Sequence, residues 1–158
     1  MTFKECFAGY DVSIDDGGME GHHFSVLFSP PGRDTQLSNR SILGQYINYT
    51  HSELYIYGAF EQSQESRSSH GLTKDRGQII EGIGVGLGHT AAHELVHQFN
   101  GKTPLAGVNH SRSDGDIMWG NDQDKELMYP PAELFYGKQG WRAKDLELIN
   151  KSVARVQQ

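Results

Sequence analysis

The sequence GHTAAHELVHQF, residues 88–99, contains the pattern HExxH at residues 93–97. In a helix, residues four positions apart lie on one face, about 6 Å apart along the axis. His93 and His97 can therefore each direct one ring nitrogen at the same zinc ion, at the required distance of about 2.0–2.1 Å. Glu94 directly follows the first histidine, and its carboxylate can accept a proton from a water on that ion. The pattern predicts a Zn²⁺ site with His93 and His97 as ligands and Glu94 as general base.

The residues around this pattern favour a helix. Alanine and leucine are strong helix formers, and no proline occurs between Gly77 and Gly101. Apolar residues recur at spacings of three and four, which predicts one face packed on a core. They are Val85, Ala92, Leu95, Val96 and Phe99. The alternative is that His93 and His97 are ordinary surface histidines on an amphipathic helix. The metal-binding interpretation is favoured because the pattern lies within a helical segment.

A zinc site of this kind needs a third protein ligand. The helix is expected to end at Asn100-Gly101, since both residue types tolerate the left-handed conformation of a helix C-terminus. A turn there would bring His110 back under the helix, so His110 is the first candidate for the third ligand. Asp114 and Asp116 are the alternatives, because carboxylates also bind zinc.

The motif and the residues after it resemble the metzincin zinc metalloproteases. Members of that family carry HExxHxxGxxH and, further along the chain, a methionine in a tight turn beneath the metal. Here the glycine position of the motif falls on Asn100, and the third-histidine position falls on Thr103. The resemblance therefore implies an insertion that moves the third ligand to His110. Met118 and Met128 are both candidates for the methionine of the turn, and Met118 lies closer to His110 in the sequence.

This resemblance implies a zinc-dependent endopeptidase, a hydrolase that acts on a peptide or protein substrate. Zinc held by His93, His97 and His110 would bind a water and polarise the scissile carbonyl. Glu94 would take the proton of that water and pass it to the leaving amine. The resemblance also favours an extracellular location, whereas residues 1–10 show no signal peptide.

Two other functions remain open at this stage. One is a non-catalytic module in which zinc holds the loop after Gly101 in place. A structural zinc usually has four protein ligands and is rich in cysteine, and Cys6 lies far away in the sequence. The other is a gluzincin-type peptidase, in which the third ligand would be a glutamate such as Glu126 or Glu133.

The remaining sequence predicts strands before the helix motif and a helix after it. Alternating, β-branched and aromatic segments indicate three strands, and a polar segment after them indicates a surface loop. The strands are Tyr10–Ile14, His23–Phe28 and Leu54–Phe60, and the loop is 61–77. The glycine-rich segment Ile79–Leu87 predicts a strand or a flexible entry into the helix. Residues 130–137 read as an irregular linker, and Trp141–Val156 as a terminal helix with an apolar stripe.

These elements, with the resemblance, predict a single domain of the α/β (α+β) class over residues 1–158. The expected fold is zincin-like, with a mixed twisted sheet packed on the HExxH helix in residues 1–100. Residues 101–158 would form the third-ligand loop, the methionine turn and the C-terminal helix. In the metzincin pattern one edge strand binds the substrate beside the active-site helix, and Leu54–Phe60 is the expected edge.

Composition excludes several partners. The net charge of −6 and the pI near 5.7 argue against nucleic acid and against attraction to anionic membranes. No apolar run has the length of a membrane span.

Glycines 82, 84, 86 and 88 do not fit the dinucleotide pattern G-x-G-x-x-G. Cys6, the only cysteine, cannot form an internal disulfide and is expected to be a small apolar residue.

Overall fold

A long helix and a small mixed sheet organise the chain. The structure is a computed structural model, which describes residues 2–12, 23–27, 43–48, 50–69, 75–100, 117, 135 and 140–153. Its helices are α1 (Thr2–Cys6), α2 (Ile56–Ser69), α3 (Arg76–Asn100) and α4 (Ala143–Ser152). Its strands are β1 (His23–Leu27), β2 (Gly44–Asn48) and β3 (His51–Tyr55).

The three strands form one mixed sheet in the order β1-β3-β2. β1 runs parallel to β3, and β2 runs antiparallel to β3 from the pair Gly44 and Leu54 onward. The turn between β2 and β3 is closed by Asn48, whose Oδ1 accepts hydrogen bonds from the backbone N and the hydroxyl of Thr50, both at 2.9 Å. An asparagine side chain commonly stabilises a reversal in this way. The sheet lies against the motif helix, since β2 and β3 both contact α3.

The strand boundaries differ from the prediction at Leu54–Phe60. β3 ends at Tyr55, and α2 begins at the next residue. β3 is also the central strand, so the prediction that this segment forms the edge is wrong. The predicted loop 61–77 is wrong for two of its parts, because residues 61–69 belong to α2 and residues 76–77 to α3. Helix α2 is polar overall, but it contacts α3, and its small residues Ala59 and Ser63, four positions apart, are buried.

Helix α3 begins well before the motif. Asp75 caps its start, since the Asp75 Oδ1 accepts a hydrogen bond from the Gln78 backbone N at 3.0 Å. The segment Ile79–Leu87 is therefore helical, and the prediction of a strand or flexible entry is wrong. Glycine costs about 1 kcal/mol relative to alanine inside a helix. Close packing offsets part of this cost: an added Cβ at Gly86 would collide with the Phe135 ring.

Apolar residues from both ends of the chain meet on α3. The main cluster comprises Phe3, Phe7, Leu54, Ala91, Ala92, Leu95, Val96, Ile117 and Ile149. A smaller cluster comprises Leu43, Ala59 and Phe135. The predicted apolar face of the motif helix is confirmed, because Ala92, Leu95 and Val96 are buried and Phe99 packs against the same cluster.

The short helix α1 contacts α3 and buries Phe3 in the main cluster. Gly9 follows with φ of +88°, a conformation that L side chains rarely adopt, and turns the chain. Residues 10–12 of the predicted strand Tyr10–Ile14 form no strand, because their backbone makes local turn bonds from Tyr10 N to Phe7 O and from Val12 N to Tyr10 O.

The predicted terminal helix is confirmed with shorter bounds, as α4. Its Ile149 lies in the main cluster, and Trp141 ahead of it donates its indole N–H to the Cys6 carbonyl. Asp145 is buried and forms a two-point ion pair with Arg142, at 2.9 and 3.1 Å. No helix among the described residues has the length and apolar character needed to cross a membrane.

Candidate metal and catalytic site

The two motif histidines and the motif glutamate are buried in the middle of the packed surface of α3. His93, Glu94 and His97 expose 9, 6 and 3 % of their surface, respectively. Exposed histidines would be hydrated and free to rotate, whereas these rings are held by their neighbours. Their burial rejects the alternative that they are ordinary surface histidines.

The rings of His93 and His97 converge on one point. Their Nε2 atoms are 3.1 Å apart, and the ring planes meet at 73°. Two nitrogens at 2.0–2.1 Å from a tetrahedral zinc ion stand about 3.3 Å apart. The observed separation therefore fits the first two ligands of one zinc ion with a shift of only a few tenths of an ångström.

A backbone carbonyl fixes the orientation of the first ring. His93 Nδ1 lies 3.0 Å from the carbonyl oxygen of Ile117. A carbonyl oxygen only accepts, so Nδ1 carries the hydrogen, and in the neutral ring the Nε2 lone pair then faces His97. Metal-binding histidines usually donate their other ring N–H in this way, which sets the tautomer and strengthens the ligand. Ile117 is itself held, because its backbone N donates to the Gly140 carbonyl at 2.9 Å.

The side chain of Glu94, on α3, lies against the start of β2. A Cβ added to Gly44 would stand 2.9 Å from Glu94 Oε1 and 3.0 Å from its Cγ. Thr90, one helical turn earlier, packs on the same glycine and donates its hydroxyl to the Gly86 carbonyl at 2.8 Å. The Glu94 carboxylate therefore lies close to the backbone of β2 at Gly44.

A buried polar pair anchors the end of α3 on the central strand. Gln98, next to His97, donates from Nε2 to the Ser52 hydroxyl of β3 at 2.8 Å. Both side chains are almost completely buried. This bond links the helix and the sheet within one residue of a candidate ligand, and it is the kind of contact that holds a metal-binding side chain in place.

Sequence reasoning missed Ile117, Gly44, Gln98 and Ser52 as residues of this region. Only Gln98 could have been found from the sequence, because it is an uncharged polar residue that closely follows the buried apolar residues Leu95 and Val96. Ile117 contributes only its backbone, and Gly44 contributes only the absence of a side chain. Neither contribution leaves a recognisable pattern in the sequence.

The other predicted site residues lie outside the described residues. They are His110, Asp114, Asp116, Met118, Glu126, Met128 and Glu133. Among the residues that are described, no three or more His, Cys, Asp or Glu side chains come together to hold a metal ion. The described part of the chain thus places the first two predicted ligands and the base, and the predicted third ligand belongs to residues 101–116.

Cys6 has no place in this site. Burial and, to a smaller extent, the neighbouring Glu5 carboxylate together raise the pKa of the Cys6 thiol from 9.0 to about 12. A protonated thiol is a poor metal ligand and a poor nucleophile. This agrees with the prediction that Cys6 is a small apolar residue.

Comparison of the chain with protein-family models, with curated proteins and with solved structures finds no match in any of the three.

Proposed function

We propose that this chain is a zinc-dependent metallopeptidase with Glu94 as its general base. One observation carries the proposal: the His93 and His97 Nε2 atoms converge at 3.1 Å while the Ile117 carbonyl holds the other nitrogen of His93. Two buried imidazoles arranged in this way suit a shared metal ion better than a structural role, because a core position is more simply filled by apolar side chains. We also propose that the chain has a zincin-like fold and is related to the metzincins.

The residues have distinct roles in this proposal. His93 and His97 would hold Zn²⁺ through Nε2, with His110 as the third protein ligand. When bound, zinc supplies Lewis-acid chemistry by lowering the pKa of water and polarising a carbonyl. Glu94 would accept the proton of the attacking water and deliver it to the leaving amine.

The surroundings of the site favour this chemistry over a purely structural zinc. Neutral imidazole ligands leave the charge of the ion uncompensated, and burial strengthens the interaction of that charge with a substrate oxygen. Three protein ligands would leave a fourth position open, whereas structural zinc sites are usually closed by four. Glu94, the proposed base, directly follows His93 in the helix and is buried like both histidines.

The sheet favours a peptide as the substrate. Among the described strands, β2 is an edge strand, and its first residue, Gly44, contacts Glu94. An edge strand offers backbone N–H and C=O groups with which an extended peptide can pair. We propose that β2 takes this role.

The position of Ile117 supports one of the two candidate methionines. Its carbonyl contacts His93, and Met118 is the next residue in the sequence. A methionine turn close to the metal is therefore more compatible with Met118 than with Met128. Leucine in place of Met118 should perturb zinc binding or activity more than leucine in place of Met128.

The function is tested by Glu94→Gln, which keeps the size of the side chain but cannot take a proton at neutral pH. Loss of one general base typically lowers the rate by about 10²–10⁴-fold. Zinc-loaded parent and variant are compared on a mixed peptide library, with a chelator control. Glu81→Gln is the matched control, because Glu81 lies exposed on the same helix. Its cleavage rate should equal that of the parent.

Other outcomes point to other functions. Equal cleavage by parent and Glu94→Gln would identify a contaminating protease or a different base. Zinc binding without cleavage by the parent across broad libraries would favour the non-catalytic zinc module. Dependence of zinc binding on Glu126 or Glu133 would favour a gluzincin-type peptidase.

A further inference from the structure

The glycine at the start of β2 makes the closest approach between the sheet and the candidate base. A Cβ built on Gly44 would lie 2.8 Å from Thr90 Cγ2, 2.9 Å from Glu94 Oε1 and 3.0 Å from Glu94 Cγ. All three distances are at or below the shortest separations that side-chain carbons normally allow. We propose that Gly44 is a positioning residue, whose missing side chain sets the location of the Glu94 carboxylate. This inference rests on the proposed role of Glu94 as general base.

The strand cannot easily withdraw from the helix to make room for a side chain at this position. Leu43, directly before Gly44, is buried in the smaller apolar cluster and accepts a hydrogen bond from the Tyr55 backbone N at 2.8 Å. Gly44 itself pairs with Leu54, which lies in the main cluster. The backbone at residues 43–44 is therefore held by pairing with β3 and by a buried side chain.

Thr90 cannot easily give way either. Its hydroxyl donates to the Gly86 carbonyl at 2.8 Å, which fixes the rotamer and thereby the position of Cγ2. Glu94 is different, because rotation about its side-chain bonds can move the carboxylate. A methyl group at position 44 is therefore expected to displace the Glu94 carboxylate rather than the strand or Thr90.

A displaced base has a specific kinetic consequence. A misplacement of about 1 Å in a catalytic group can lower the rate by about 10²-fold. Gly44→Ala should thus lower kcat by about 10–10²-fold. KM and zinc affinity should stay close to the parent values, because the three atoms nearest to the added Cβ belong to Thr90 and Glu94. Gly84→Ala is the control, since a Cβ at Gly84 meets nothing within 4 Å.

The decisive kinetic measurement repeats Gly44→Ala in the Glu94→Gln background. If Gly44 acts through the base, the second substitution should add little to the loss already caused by Glu94→Gln. Equal fold-losses in the two backgrounds would overturn the inference, since a general structural effect multiplies independently of the base. If Gly44→Ala alone does not fold, Gly44→Ala/Thr90→Ser removes the nearest contact and allows the same comparison.

A stability measurement tests the contact without using activity. In a strand, alanine is intrinsically preferred to glycine, so Gly44→Ala should raise the urea midpoint unless the added methyl group meets its neighbours. We expect Gly44→Ala to lower the urea midpoint when it is introduced into the parent protein. The decrease should be smaller when it is introduced into Glu94→Ala, where Cγ and the carboxylate are absent. An equal change in both backgrounds would overturn the inference and leave the proposed function standing. A parent that shows this coupling but cleaves no peptide would instead overturn the proposed function and, with it, the catalytic role of Gly44.

Discussion

His93 donates a hydrogen bond from Nδ1 to the carbonyl oxygen of Ile117, 3.0 Å away and 24 positions later in the chain. This bond connects the motif helix to the C-terminal part of the chain, where the sequence predicts the third ligand. It also sets which nitrogen of His93 is available to a metal. The orientation of the His93 ring therefore depends on where the Ile117 backbone lies relative to α3.

Removal of the second ligand should abolish zinc binding. His97→Gln takes away one of the two converging nitrogens, and the zinc content should fall from about one ion per chain to near zero. Elemental analysis of protein purified without added metal measures this. His89→Gln is the control, because His89 is also buried on α3, one turn before His93. A His97→Gln protein that retains stoichiometric zinc would contradict the proposed site.

The third ligand should be His110. His110→Ala should lose most of the zinc affinity, because two ligands hold the ion much less tightly than three. Asp114→Ala, Glu126→Ala and Glu133→Ala should retain it. Zinc affinity measured by competition with a chromogenic chelator distinguishes the variants. If His110→Ala retained its zinc affinity and Glu126→Ala or Glu133→Ala lost it, the third ligand would be that glutamate and not His110.

The buried pair of Gln98 and Ser52 should contribute to stability in a coupled manner. Gln98→Ala removes the donor and leaves the buried Ser52 hydroxyl without this bond, which should cost about 1–3 kcal/mol of the free energy of unfolding. The double variant with Ser52→Ala should cost less than the sum of the two single changes. Urea denaturation measures the cycle. Gln78→Ala, at an exposed position on the same helix, should change stability by no more than about 0.5 kcal/mol.

Two glycines of α3 should respond in opposite directions to alanine. Gly84→Ala should stabilise the protein by about 0.4–1 kcal/mol, because it restricts the unfolded chain and meets no neighbour. Gly86→Ala should destabilise it, because the new methyl group would overlap the buried Phe135 ring. Thermal unfolding of both variants provides the comparison. Equal stabilisation by both changes would mean that Phe135 does not pack on Gly86.

The Cys6 thiol should be unreactive in the folded protein. Burial raises its pKa from 9.0 to about 12, so it stays protonated at pH 8 and alkylation should be slow until the chain is unfolded. The raised pKa favours the folded state fully below pH 9. This contribution is lost as the pH rises from 9 towards 12, since the unfolded thiol ionises first. The stability of Cys6→Ser should lack this component of the pH dependence. Rapid alkylation of Cys6 in the folded parent protein at pH 8 would contradict a buried, protonated thiol.

The sequence predicted the motif helix well because the helical period is a local property. The spacing of four between His93 and His97 places both rings on one side, and the apolar residues between and around them face the core. The same reasoning failed for residues 56–69. Leu54–Phe60 has strand-like composition, but α2 forms from Ile56 onward and packs on α3. Local propensity differs too little between helix and strand to outweigh such packing.

The sequence by itself determined the residue types of the candidate centre and their placement on one helix face, because both follow from local helix geometry. Tertiary structure decided what surrounds them. It brought the Ile117 carbonyl to His93 and placed Gly44 against Glu94, and among the described strands it made β2 rather than β3 an edge strand. The first two contacts each join a side chain to a backbone group that is distant along the chain. Backbone groups are the same in every residue, so only the folded chain shows which of them meet.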